Sequence, residues 1–197
     1  MAPAAVKLRC GLMASVLALL SAFAFGATQN AVAAGGCPGP LTTPFLPWGD
    51  SDQYWLAPNG DFEGKSAWTL TGGATIATGN ETFSVHKKKD SHSLSIPPGG
   101  SAVTPEICVT LSSPQMRFFA TGGNSTSPLK VDVIATTPYG TVQGKTASVA
   151  ASPVWAPTPQ IALASPDGTT SVQFRFSNPG TAAWTIDDVY VDPWKLK

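Results

Sequence analysis

From Leu56 onward this sequence is cut into short runs of strand-forming residues by glycine, proline, serine and asparagine. That punctuation restricts it to an all-β fold. The breaks are turn-formers: Gly72-Gly73, Pro97-Pro98-Gly99-Gly100, Gly122-Gly123-Asn124, Pro138-Tyr139-Gly140, Asp167-Gly168 and Asn178-Pro179-Gly180. Between them the pattern predicts strands at 68–70, 74–77, 82–85, 93–96, 106–111 and 115–120. It predicts further strands at 129–135, 141–149, 160–164, 171–176 and 183–191. No stretch repeats apolar residues at helical spacing for several turns, and only 12% of the residues are charged, too few for an exposed helix face.

Several of these runs alternate. Val172, Phe174 and Phe176 share one face, with Gln173 and Arg175 on the other. Val131, Val133 and Ala135 oppose Lys130, Asp132 and Ile134, while Met116 and Phe118 oppose Arg117 and Phe119. Each such strand offers one apolar face to a core and one mixed face outward, which implies an antiparallel β-sandwich or barrel.

The N-terminus has the layout of an export signal. Lys7 and Arg9 precede the uncharged apolar run Gly11 to Phe25, and Ala31-Val32-Ala33 forms a small-x-small cleavage site. The run is shorter than the roughly 20 residues that span a bilayer. The expected organisation is a signal peptide at 1–33, a proline-rich arm at 34–55 and a sandwich domain at 56–197. Pro38, Pro40, Pro44 and Pro47 keep the arm out of a regular ladder. Localisation is then extracellular, with no membrane span after cleavage.

Cleavage leaves about 164 residues, with ten basic side chains against twelve acidic ones. That balance excludes nucleic acid and anionic membrane as partners, because both need a concentrated positive field. Two cysteines remain, Cys37 and Cys108, and in an oxidising compartment they are expected to form a disulfide. The bridge would close a loop of about 70 residues, worth roughly 4 kcal/mol in the chain-entropy model.

Catalytic signatures are missing. The sequence holds no Gly-x-Ser-x-Gly elbow, no His-Glu-x-x-His and no phosphate loop. Its two histidines, His86 and His92, fall in the segment His86-Lys87-Lys88-Lys89-Asp90-Ser91-His92. A metal clip of His86, Asp90 and His92 is opposed by the three lysines beside it, and a solvated loop between strands is the better reading.

The ends of the domain carry a resemblance. Asn59-Gly60-Asp61-Phe62-Glu63-Gly64, followed by Trp68, stands near the start, and Trp184-Thr185-Ile186-Asp187-Asp188-Val189-Tyr190-Val191 stands near the finish. The pair resembles carbohydrate-binding modules of the jelly-roll, galactose-binding-domain-like type over residues 56–192. The whole chain is also similar to small secreted bacterial proteins. The resemblance implies a structural calcium ion where the first and last strands meet, with Glu63 and Asp187 as ligands and Asp61 and Asp188 as further candidates. Asp187 and Asp188 should point to opposite sides of a strand, so one of the two is the ligand.

A glycan surface is expected on Arg117, Phe119, Asp132 and Arg175, all outward positions, with Trp155 as a stacking ring freed by its neighbouring prolines. Trp68 and Trp184 sit among apolar neighbours and are expected in the core. The functional expectation is a non-catalytic binding module for a glycan. The rivals are a structural or adhesive protein that contacts another protein, and a small hydrolase.

Overall fold

Two antiparallel sheets pack face to face in the computed structural model, which describes residues 39–65, 67–109, 115–162 and 166–192. The signal segment and Cys37 lie outside those residues. In chain order the strands are β1 (Trp55–Leu56), β2 (Thr69–Thr71), β3 (Thr75–Thr78), β4 (His92–Ile96), β5 (Ser101–Val103), β6 (Ile107–Cys108) and β7 (Gln115–Thr121). They continue as β8 (Leu129–Thr137), β9 (Gly140–Val149), β10 (Ala156–Pro157), β11 (Ile161–Ala162), β12 (Ser171–Ser177) and β13 (Trp184–Asp192). The first sheet runs β10-β7-β13-β4-β3, with β1 added to β13 and β11 to β7. The second runs β2-β5-β12-β8-β9, with β6 added to β12. This is a β-sandwich of jelly-roll type.

Alternation places the core. Val172, Phe174 and Phe176 of β12 and Val131, Val133 and Ala135 of β8 point inward, where they meet Met116 and Phe118 of β7 and Trp184, Ile186, Val189 and Val191 of β13. Phe118 and Phe176 touch edge to face across the sandwich, their ring centroids 5.2 Å apart. Trp68 and Trp184 both lie in this core.

The first sheet is also buried on its outward side. Residues 39–54 cross it, with a single 3₁₀ turn at Leu46–Trp48 and an antiparallel bridge between Thr42 and Tyr54. Phe45 and Tyr54 of this arm cover Phe119 of β7 and Tyr190 of β13, forming a second, smaller aromatic cluster. Phe45 stacks on Phe119 at 5.4 Å and meets Tyr190 edge-on at 5.7 Å.

The predicted strand at 82–85 is not one. Glu81 folds back and accepts the backbone N–H of Phe83 and that of Val85, the latter at 2.7 Å, so the chain coils around a carboxylate instead of joining a ladder. Three short strands, β1, β5 and β10, lie where no strand is predicted.

Candidate functional site

Two polar features stand out: a buried carboxylate cluster beside β13 and a groove beside the arm. The cluster starts from a bulge. Pairing of β13 with β7 slips between Asp187 and Tyr190, inserting one extra residue, and Asp188 takes a left-handed φ of 47°. Alternation therefore fails at this pair. Asp187 accepts the N–H of Glu81 at 3.0 Å, and Asp188 accepts that of His86 at 3.2 Å, so both carboxylates serve the loop between β3 and β4. The expectation that they face opposite ways is corrected.

The turn before β2 closes the cluster from the other side. Val189 donates its N–H to Gly60 O at 3.0 Å, and a Cβ on Gly60 would lie 2.7 Å from Val189 O. Only glycine lets this turn press against the bulge, and the press delivers Asp61. His86 Nδ1 then lies 3.2 Å from Asp61 Oδ2 and 2.9 Å from Asp90 Oδ2. These three groups can present ligand atoms within 4.8 Å of one another.

Electrostatics follow from burial. Asp187 and Asp188 are 0% and 2% exposed, and among the described residues no lysine or arginine pairs with either. Burial pushes the Asp187 carboxyl up to about 8; the Glu81 N–H opposes the rise and the Asp188 carboxylate adds to it. Burial and the Glu81 carboxylate lift Asp188 to about 7, with Asp90 and Asp61 contributing. The same four acids, after burial itself, raise the Tyr190 phenol.

Glu63 stands apart from this centre. It accepts the N–H groups of Ser91 and His92 at 2.5 and 2.6 Å, and its other oxygen meets His92 Nδ1 at 3.0 Å. Burial raises its carboxyl, but His92 and these two amides outweigh that and hold it below the usual range. The four expected calcium ligands therefore divide. Asp61 comes together with His86 and Asp90, Asp188 lies close enough to feel the charges of Glu81, Asp90 and Asp61, and Asp187 and Glu63 brace the loop. Glu81 is invisible to sequence reasoning; its one signal is a lone acid following the turn-former pair Gly79-Asn80.

The expected glycan surface also divides. Arg117 and Phe119 lie on β7 of the first sheet, whereas Asp132 and Arg175 are register partners on β8 and β12 of the second. Phe119 is 0% exposed beneath the arm. Trp155 is half-buried against the same aromatic cluster. On the second sheet Asp132 accepts the Thr146 hydroxyl at 2.5 Å, and among the described residues Arg175 makes no ion pair.

Arg117 is held by the arm. Its Nη1 donates to Asp50 Oδ2 at 2.5 Å, its Nε to Thr158 O at 2.8 Å, and its guanidinium lies 4.3 Å from the centre of the Phe45 ring. Tyr54 donates its hydroxyl to Asp50 at 2.8 Å. Burial raises the Asp50 carboxyl, yet Tyr54 and Arg117 together hold it below its ordinary value. Beside this knot is an open groove of about 400 Å³, lined by Trp48, Gly49, Asp50, Ser51, Asp52, Arg117 and Gln160. Of these, the sequence pattern points only to Arg117; Trp48 followed by Gly49 and two acids in a coil-forming stretch is the signal that could have found the rest.

No protein-family profile matches the chain, and no curated protein matches it. Solved structures do share its fold. The enzymatically active domain of tailspike protein 4 from bacteriophage CBA120 is 19% identical with a TM-score of 0.52, over 69% of this chain and 21% of that one. Family 16 carbohydrate-binding module-2 is 13% identical with a TM-score of 0.50, over 70% of this chain and 99% of that one. The tandem of family 22 modules from Paenibacillus barcinonensis Xyn10C is 13% identical with a TM-score of 0.50, over 74% of this chain and 46% of that one. The chain thus spans about a fifth of the tailspike domain and nearly all of the family 16 module. Its architecture is a jelly-roll β-sandwich like that of the family 16 module.

Proposed function

We propose that this protein is a secreted, non-catalytic module that binds a glycan and carries a structural calcium ion. One observation carries the glycan reading: the shared fold extends over 99% of a carbohydrate-binding module, not over a fragment of one. The step from fold to ligand is analogy with modules of that build. Secretion rests on the signal layout of residues 1–33, and the Cys37–Cys108 bridge would tie the arm to β6.

Calcium is supported by the donor set. A hard cation takes six to eight oxygens, carboxylates among them. Asp61, Asp90 and Asp188, with Glu81, supply buried or half-buried carboxylates that repel one another and have no guanidinium or ammonium partner among the described residues. Asp61 and Asp90 would hold the ion, with Asp188 and Glu81 supplying the negative charge that draws it in. It would supply positive charge beside the buried Asp188 carboxylate, and so fix the loop between β3 and β4 against β13.

Screening the protein on an array of neutral and acidic glycans, with calcium and with chelator, tests the reading. Retention of at least one glycan class in calcium is expected. A blank array in both conditions overturns it.

A further inference from the structure

The arm is the part of this chain that the jelly roll does not need. It covers one sheet with aromatic rings, and it also brings Trp48, Asp50 and Asp52 to the edge of β7 beside Gln160. We propose that the groove so formed is the saccharide site, and that it takes a neutral sugar chain in preference to a uronate or sulfated one. This rests on the glycan reading above and gives it a location and a charge class.

Four observations converge. First, a groove of about 400 Å³ falls within the usual 300–1,000 Å³ range of small-ligand sites. Second, its lining is almost wholly polar, and the indole at its edge is braced from behind: Trp48 meets Phe83 edge-on at 4.9 Å and Phe119 at 5.3 Å. A lining held in place in this way meets a sugar's hydroxyls at little cost in conformational entropy.

Third, the polar groups are of two kinds. Asp50 is fixed, with Oδ2 taken by Arg117 and Tyr54 and Oδ1 by the Asp52 N–H at 3.0 Å. Asp52 and Gln160 are exposed and poorly used. The Gln160 amide nitrogen spreads over Asp50, Asp52 and the Tyr54 hydroxyl at 3.2, 3.3 and 3.4 Å. Among the described residues, that long contact is the one partner of the Asp52 side chain. A rigid floor beside a weakly engaged acceptor and donor suits a pair of adjacent sugar hydroxyls.

Fourth, two carboxylates against one guanidinium leave the groove with a negative balance, which opposes an acidic sugar. The bare face of the second sheet offers no comparable platform. The outward positions of β8 and β12 carry Lys130, Asp132, Ile134, Gln173, Arg175 and Ser177, without an aromatic ring.

Isotope-labelled protein titrated with cellohexaose, xylohexaose, mannohexaose and hexagalacturonate decides the matter. At least one neutral hexasaccharide should shift the Gln160 side-chain amide and the Trp48 indole N–H, and hexagalacturonate should bind at least tenfold more weakly. Gln160→Ala and Asp52→Ala, both at exposed positions, should each weaken the neutral ligand about tenfold while leaving the rest of the spectrum in place. If shifts fall instead on Arg175 and Thr146 and both variants bind normally, the groove is not the site but the glycan reading stands. Preference for hexagalacturonate also overturns the proposal. If no oligosaccharide moves any resonance, both readings fall.

Discussion

Asp50 and Asp188 both carry a carboxylate into a poorly hydrated place beside the first sheet, and the protein treats them in opposite ways. Asp50 has a guanidinium at hydrogen-bond distance and a phenol behind it, so its charge is matched from within and its carboxyl titrates below the usual range. Asp188 has one backbone amide, that of His86, and other carboxylates around it, and its carboxyl is pushed up to about 7. Burial is the largest influence on both. The difference lies in what stands next to each acid, and it shows that one site is self-sufficient while the other asks for a cation or a proton from outside.

Removing the internal cation should have the largest effect. Arg117→Ala strands Asp50 and takes the guanidinium off Phe45, so a loss of about 3–5 kcal/mol is expected by chemical denaturation. A loss under about 1 kcal/mol would mean that Asp50 is solvated after all, and the contrast would collapse.

Supplying the external cation comes next. Calcium at a hundredfold excess over Kd should add about 2.7 kcal/mol to the stability of the native state. Asp188→Ala should abolish that gain in paired melts with calcium and with chelator. Identical wild-type curves in the two conditions would remove calcium from the account.

Acid should substitute for the ion. Asp187 and Asp188 have folded-state values of about 8 and 7, raised from 3.8. Between these limits the unfolded chain has released protons that the native state retains, so native stability falls as pH rises. Chelated protein should therefore melt several degrees lower at pH 8 than at pH 5, as far as these two groups govern it, and calcium should flatten the slope. A melting temperature that instead climbs over this window in chelator would contradict the burial of the pair.

The smallest effect is expected on the bare sheet. Arg175→Ala removes a side chain with no ion-pair partner among the described residues, and denaturation should register a change within about 0.5 kcal/mol.

The same contrast explains what sequence reasoning can see. The period-two pattern of β12 is legible because that strand has one buried face and one open one. Arg117 and Phe119 are read correctly as pointing away from the core, but nothing local says that Phe45 and Tyr54, more than sixty residues earlier, cover that side. The acids Asp61 and Asp188 are legible as candidates from the two ends of the domain, but Glu81 and the geometry are not. One inserted residue with a left-handed backbone turns both aspartates toward one loop, and no periodicity encodes it. The strand expected at 82–85 fails for a related reason, since Glu81 offers the backbone a nearer partner than a neighbouring strand.

The position of β13 bears on how the chain reaches this state. The last described strand of the sequence is the inner strand of the first sheet, bonded to both β7 and β4, with β1 pairing beyond its bulge. The arm, made before the strands, rests partly on Tyr190 of β13, which is made after the other described strands. During synthesis the early segments have no surface to close upon until residues 184–192 emerge, so assembly waits on contacts of very long sequence separation. Loop-closure entropy makes such pairings slow. A nascent chain halted before Trp184 lacks an inner strand, not an edge, and it leaves β4, β7 and the arm without the backbone that joins them.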